Sequence, residues 1–213
     1  MSRFTLPVLR TPAAKYAAGT IVALCAAALY LLPNRMAGGA AVELPLTSLD
    51  RLVPFWPWTG WIYASVYVFL ATAFASMRDL AVATRFLYAC VFAQVVAAVV
   101  FLAFPTAYPR ELFPLPYGAA ASDIALVTFW RNLDAPANCF PSLHVSTAVL
   151  CLAAYETGPL RRFRYVALAA TVLLVASTLT FKQHYLADLV GGGMLGLASY
   201  WLFFRWPRLQ LAG

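Results

Sequence analysis

The chain has 213 residues, of which 63% are hydrophobic and only 11% charged, and its mean hydropathy is +0.77. Soluble domains carry roughly 25% charged residues, so an ordinary water-soluble fold is excluded. The net charge of +7 would fit a nucleic-acid partner only if the basic residues formed a solvated patch. They are instead dispersed between long apolar runs, the pattern of membrane topology signals.

A bilayer core about 30 Å thick needs about 20 mostly apolar residues per crossing helix. Six stretches meet that length within the usual tolerance, predicting spans at 16–32, 58–76, 84–104, 142–157, 165–181 and 185–204. The expected fold is an all-α integral membrane bundle forming a single domain over residues 1–213. The first stretch has a basic flank (Arg3, Arg10, Lys15) and small residues after it, around 37–41, as a cleaved signal would. Its seventeen-residue core is long for a signal, which favours a retained helix. The loop at 33–57 carries Pro33, Pro45, Pro54 and Pro57, and Trp56, Trp58 and Trp61 near its end read as an interfacial anchor. The loop at 105–141 is too polar to enter hydrocarbon, and residues 120–133 within it are predicted to form a short interfacial helix. The fourth span is the shortest, and it opens on polar residues.

Assigning the loops alternately to the two sides places Arg3, Arg10, Lys15, Arg78, Arg85, Arg161, Arg162, Arg164, Arg205 and Arg208 together, ten of the fifteen Lys and Arg residues. The longer opposite loops hold only Arg35, Arg51, Arg110, Arg131 and Lys182. Both termini are therefore expected in the cytoplasm of a cell or inner membrane. The four cysteines, Cys25, Cys90, Cys139 and Cys151, have neither C-x-x-C nor metal-site spacing and read as small buried hydrophobes.

Ionisable groups at membrane depth are costly, so their placement carries the functional evidence. The chain has two histidines, and both fall at the same membrane face, His144 opening the fourth span and His184 opening the sixth. Around the first stands Asn138-Cys139-Phe140-Pro141-Ser142-Leu143-His144. Proline suits the first turn of a helix, whose free amides and dipole make an anion site. Around the second stands Lys182-Gln183-His184-Tyr185-Leu186-Ala187-Asp188, where His184 and Asp188, four apart, share a helical face. A carboxylate bonded to one ring nitrogen leaves the other free to attack, and the second histidine can protonate the departing oxygen. Gly191, Gly192, Gly193 and Gly196 read as close helix packing.

These residues resemble the type 2 phosphatidic acid phosphatase superfamily, and within it the branch holding the inositol phosphorylceramide and sphingomyelin synthases. The second motif of that family resembles Pro141-Ser142-Leu143-His144, with leucine in place of glycine. The third resembles Ser177, His184 and Asp188, with Thr178 where an arginine is usual. In the first motif only Arg110 carries over, since Ala103 stands at the lysine position. The resemblance implies that His184 is a nucleophile that becomes phosphorylated, Asp188 its orienting carboxylate and His144 the general acid, with no metal or other cofactor required. Candidate substrate contacts are Arg110, Lys182, Ser142, Leu143, Tyr108 and Asn138.

The expected function is a lipid phosphatase or phosphotransferase whose acceptor is water or an alcohol, with a phosphorylated lipid and the bilayer as partners and the site at the non-cytoplasmic face. Two rivals keep the same residues. One is a zinc-dependent hydrolase using two histidines and a carboxylate. The other is a non-catalytic protein that binds or transports lipid phosphates.

Overall fold

The computed structural model describes residues 4–37, 40–135, 137–155, 158–207 and 209–212, without the side chains at 153, 154, 158 and 159. Arg3, Arg208 and the end of the predicted fourth span at 156–157 lie outside the described residues. Helix accounts for 71% of the chain. Among the described residues, strand is confined to four segments of two or three residues.

Helix α1 (Pro12–Met36) runs four residues further at each end than its hydropathy predicts. At the start, Thr11 accepts a hydrogen bond from the Ala14 N–H and Pro12 occupies the first turn, where a missing N–H costs nothing. At the end, the polar Asn34 stays helical because it is buried and bonded to the chain at Asp134 and Ala135. Helix α2 (Ser48–Leu52) lies in the following loop, capped by Thr47. A 3-10 turn at Pro57–Thr59, α3 (Gly60–Ala64) and α4 (Val66–Ser76) together make one apolar stretch of 20 residues. Helix α5 (Leu80–Ala103) starts at the Asp79 cap. Helix α6 (Ala121–Leu133) occupies the position predicted for a helix in the long loop. Helices α7 (Leu143–Ala154), α8 (Arg164–Thr180) and α9 (Leu186–Tyr200) follow, α9 being prolonged by a π-helical turn at Trp201–Arg205.

Five of these stretches are long and apolar enough to cross a membrane: Pro12–Met36, Pro57–Ser76, Leu80–Ala103, Leu160–Thr180 and Leu186–Arg205. Only 6% of the most apolar window of α1 is buried, and Ile21, Leu24, Val99, Val172, Val190 and Met194 point outward. An apolar exterior of this extent suits lipid, not water. The expected span at 142–157 is not among these five: its described helix, α7, has 12 residues. At 1.5 Å per residue it reaches roughly 18 Å, well short of a bilayer core of about 30 Å. It sits at the centre of the bundle, packed against α4, α5, α8 and α9.

The chain ends meet. Strand β1 (Phe4–Leu6) pairs in parallel with β4 (Leu209–Leu211). Beside them, buried Lys15 donates to the Ala75 and Met77 carbonyls at the end of α4, and Arg85 donates to Phe203. Such contacts suit the negative ends of helix dipoles. At the other end of α1, β2 (Val42–Glu43) pairs with β3 (Thr106–Ala107), and Thr106 also bridges to Asn138, drawing the long loops together.

Helices α7 and α9 approach at backbone distance. A Cβ at Gly192 would stand 2.3 Å from the Ser142 carbonyl oxygen, and one at Gly196 would stand 2.9 Å from that of Ser146. Gly191 faces the Phe140 ring, whereas Gly193 has nothing within 4 Å, so its packing role is corrected. Alanine at 192 must separate two backbones, which overpacking data put at roughly 1–3 kcal/mol of destabilisation. Gly193→Ala meets nothing and gains helix propensity, about 1 kcal/mol. Thermal unfolding in detergent is therefore expected to show a lower Tm for Gly192→Ala and an equal or higher one for Gly193→Ala.

Candidate active site

Helix α9 begins two residues after His184, and its first turn builds the centre of the site. The His184 Nδ1 lies 3.1 Å from Asp188 Oδ2 and 3.1 Å from the Cys139 carbonyl oxygen. Both partners are acceptors, so Nδ1 carries a proton, and in the neutral ring Nε2 keeps the lone pair. Asp188 is fully buried, and its Oδ2 also accepts the Tyr185 N–H at 2.9 Å. Its backbone carbonyl accepts the Ser142 N–H at 3.1 Å, which ties α9 to the start of α7.

Ser142, not Pro141, is the residue that caps α7. Its hydroxyl lies 3.4 Å from the Val145 N–H and 3.2 Å from His184 Nε2, to which it donates in the tautomer just assigned. Two residues on, His144 stacks on Tyr63, with centroids 3.9 Å apart and planes 20° apart. The two histidine rings are 6.2 Å apart between centroids. The His144 Nε2 is buried and has no hydrogen-bond partner.

Arg110 lies in a short 3-10 turn after β3 and is buried. It donates to the Asp134 carbonyl oxygen at 2.6 Å and to Gln183 Oε1, with the Asp134 carboxylate 3.6 Å away. Its Nε is buried without a partner. The Asp134 carboxylate is held in turn from α1, by the Tyr30 hydroxyl at 2.7 Å and the Asn34 amide at 3.0 Å. Asn138 donates to the Tyr30 carbonyl and leaves its Oδ1 buried and unpaired. These groups line a small, partly open cavity whose lining includes Tyr30, Tyr63, Arg110, Asp134, Asn138 and His184. A larger groove, lined by Phe69, Tyr155, Leu160, Phe163 and neighbours, offers no charged side chain. Among the described residues, no group of three or more His, Cys, Asp or Glu stands close enough to hold a metal ion.

The sequence candidates divide accordingly. His184, Asp188, Ser142 and His144 come together, and Arg110 and Asn138 share the cavity with His184. Lys182 does not join them. Its ammonium donates to the Asp50 and Val53 carbonyls and lies 4.3 Å from the Phe113 ring, because a left-handed backbone (φ 55°) turns the side chain toward that loop. Tyr108 packs against Tyr185 and Phe113, and Leu143 against the apolar core, so neither lines the cavity. The Ser177 hydroxyl is used within its own helix, on the Leu174 carbonyl. Sequence reasoning missed Tyr30, Tyr63, Asp134 and Gln183. Only Gln183, next to His184, carried a local signal.

A family model described as the PAP2 superfamily matches residues 38–202. No curated protein and no solved structure gives a significant match.

Burial raises the Asp134 carboxyl above its ordinary pKa, while Arg110, Tyr30, His184 and Asn34 pull it the other way. A carboxyl raised in the folded state stabilises the fold at low pH, and that contribution is lost as pH rises through the folded pKa. Asp134→Asn mimics the neutral form and keeps an acceptor for Asn34. Its melting temperature is expected to exceed the wild-type value at about pH 7, with the gap narrowing toward about pH 4, near the ordinary carboxyl value. A gap that widens on acidification would mean that ionised Asp134 stabilises the fold.

Proposed function

The chain belongs to the PAP2 superfamily, and from that premise we propose that it is a membrane lipid phosphatase or phosphotransferase acting through a phosphohistidine. The observation that carries the reading is the His184 ring, with Nδ1 held between the Asp188 carboxylate and the Cys139 carbonyl and the Nε2 lone pair directed toward Ser142.

In the first half-reaction His184 Nε2 attacks phosphorus, the ester P–O bond breaks, and the departing oxygen takes a proton from His144. Asp188 steadies the positive charge that develops on the His184 ring. In the second, His144 takes a proton from water or an alcohol, whose oxygen attacks phosphorus and releases Nε2. Arg110, the Ser142 hydroxyl and the first amides of α7 hold the phosphoryl oxygens. Leu143 and Thr178, which depart from the usual phosphatase motifs, support a place beside the inositol phosphorylceramide and sphingomyelin synthases and an alcohol as acceptor.

The paired chain ends support an even number of crossings, so α7 serves as the sixth beside the five long helices. The excess of Lys and Arg at that end supports cytoplasmic termini, a site at the opposite face and an interfacial α6. A lipid would enter sideways between helices.

His184→Ala is expected to abolish phosphate release or transfer and to abolish acid-labile labelling of the protein by a substrate carrying labelled phosphorus. His144→Ala is expected to lose about 10²- to 10⁴-fold in turnover, the usual worth of general acid–base catalysis. Turnover retained by folded His184→Ala would refute the nucleophile. Lipid phosphate bound by the wild type with no turnover of any phosphoester would favour a binding protein.

A further inference from the structure

The loop that precedes the second apolar stretch is sewn to the turn that carries His184. The Lys182 Nζ donates to the Asp50 carbonyl at 3.2 Å and the Val53 carbonyl at 2.6 Å. In return, Asp50 Oδ1 accepts the Leu186 N–H at 2.8 Å, in the first turn of α9. The Trp56 N–H donates to the Thr180 carbonyl at 2.8 Å, and the Thr180 hydroxyl donates to that of Thr59 at 3.0 Å. Three of these ties end two residues before His184 or two residues after it.

Neither anchor is an incidental surface contact. Lys182 is 2% exposed and Asp50 is 4% exposed. The second Asp50 oxygen is occupied by the Thr47 N–H and hydroxyl. Buried charges are retained only where partners compensate them, and here the partners span 129 to 136 residues of sequence. Lys182 also holds a left-handed backbone, which is unfavourable for a side chain with a Cβ and persists where surrounding contacts over-determine it.

We propose that Asp50 and Lys182 are positioning residues, which clamp α2 onto the α8–α9 turn and so fix the pose of the His184 ring. This rests on the reading of His184 as the nucleophile. The clamp touches no reacting atom, since Lys182 spends its donors on the loop carbonyls and stands outside the cavity. It acts through the backbone at 182–186, whose relaxation would swing the ring away from Asp188 and Cys139.

The chain holds only two histidines, so ¹⁵N-histidine-labelled protein in bilayers gives ring signals from His144 and His184 alone. In Lys182→Met and Asp50→Asn the His184 ring signals are expected to shift or broaden while those of His144 hold. Misplacing a reacting group by about 1 Å costs on the order of 100-fold, so kcat is expected to fall between about 10- and 100-fold with KM unchanged. Should Lys182→Met fail to fold, Asp50→Asn and Thr59→Val weaken the same clamp more gently and carry the same spectroscopic expectation. His184 signals that stay in place overturn the proposal, as does a raised KM with kcat intact, which would make Lys182 a phosphate ligand. If the signals move but the wild-type protein turns over no phosphoester, the clamp stands and the nucleophile reading falls.

Discussion

A proton fixed on Nδ1 of His184 is the constraint on which the rest of the site depends. Two acceptors, the Asp188 carboxylate and the Cys139 carbonyl, compete for the same N–H, and neither can be served if that nitrogen carries the lone pair. Nε2 is therefore the open nitrogen, and what stands around it decides what the protein can do. The pose of the ring and the packing of α7 on α9 are one constraint, because the Ser142 N–H bonds the Asp188 carbonyl while the Ser142 hydroxyl meets Nε2. Gly192 permits that approach: any side chain there pushes Ser142 outward and breaks both contacts together.

Polar groups are segregated along the bundle by what it costs to bury them. The helix flanks are apolar and outward-facing, while Arg110, Asp134, Asn138, Lys182, His184 and Asp188 are all buried at one end, where loop carbonyls and carboxylates supply partners. Helix α1 shows how far this goes. It buries few of its own residues, yet Tyr30 and Asn34 at its end hold the Asp134 carboxylate that stands beside Arg110. Its attachment to the site is by hydrogen bonds that are strong because water is excluded around them.

The sequence exposed the residues whose relationship is local. His184 and Asp188 share a helical face by spacing alone, and the first turn of α7 follows from Ser142 and its neighbours. Long apolar runs likewise marked five helices by hydropathy. Direction was not legible: Lys182 advertises a charge beside a histidine, but the left-handed turn that sends it toward Val53 has no signature in a non-glycine residue. Distance was not legible either, since Tyr30 meets Asp134 across 104 residues. Tyr63, the platform under His144, is one aromatic residue in an apolar run and reads the same whether it faces lipid or a histidine. The described α7 is shorter than the apolar run at 142–157, because hydropathy averages over a window and does not mark helix ends.

With Lys182 turned away and Thr178 in place of an arginine, Arg110 is the one cationic side chain on the described lining of the cavity. That alters how a phosphoryl group would be held. The guanidinium plane is already oriented by the Asp134 carbonyl and Gln183, so binding would freeze few further rotors, and its unpaired Nε remains available as a donor. The Asp134 carboxylate nearby offsets part of its charge, more so when ionised. In the proposed reaction, attraction by net charge is then a small part of recognition. Directed donors from Arg110, Ser142 and the α7 amides would carry the rest, and these work only while α7, α9 and the loop at 134–142 keep their present spacing.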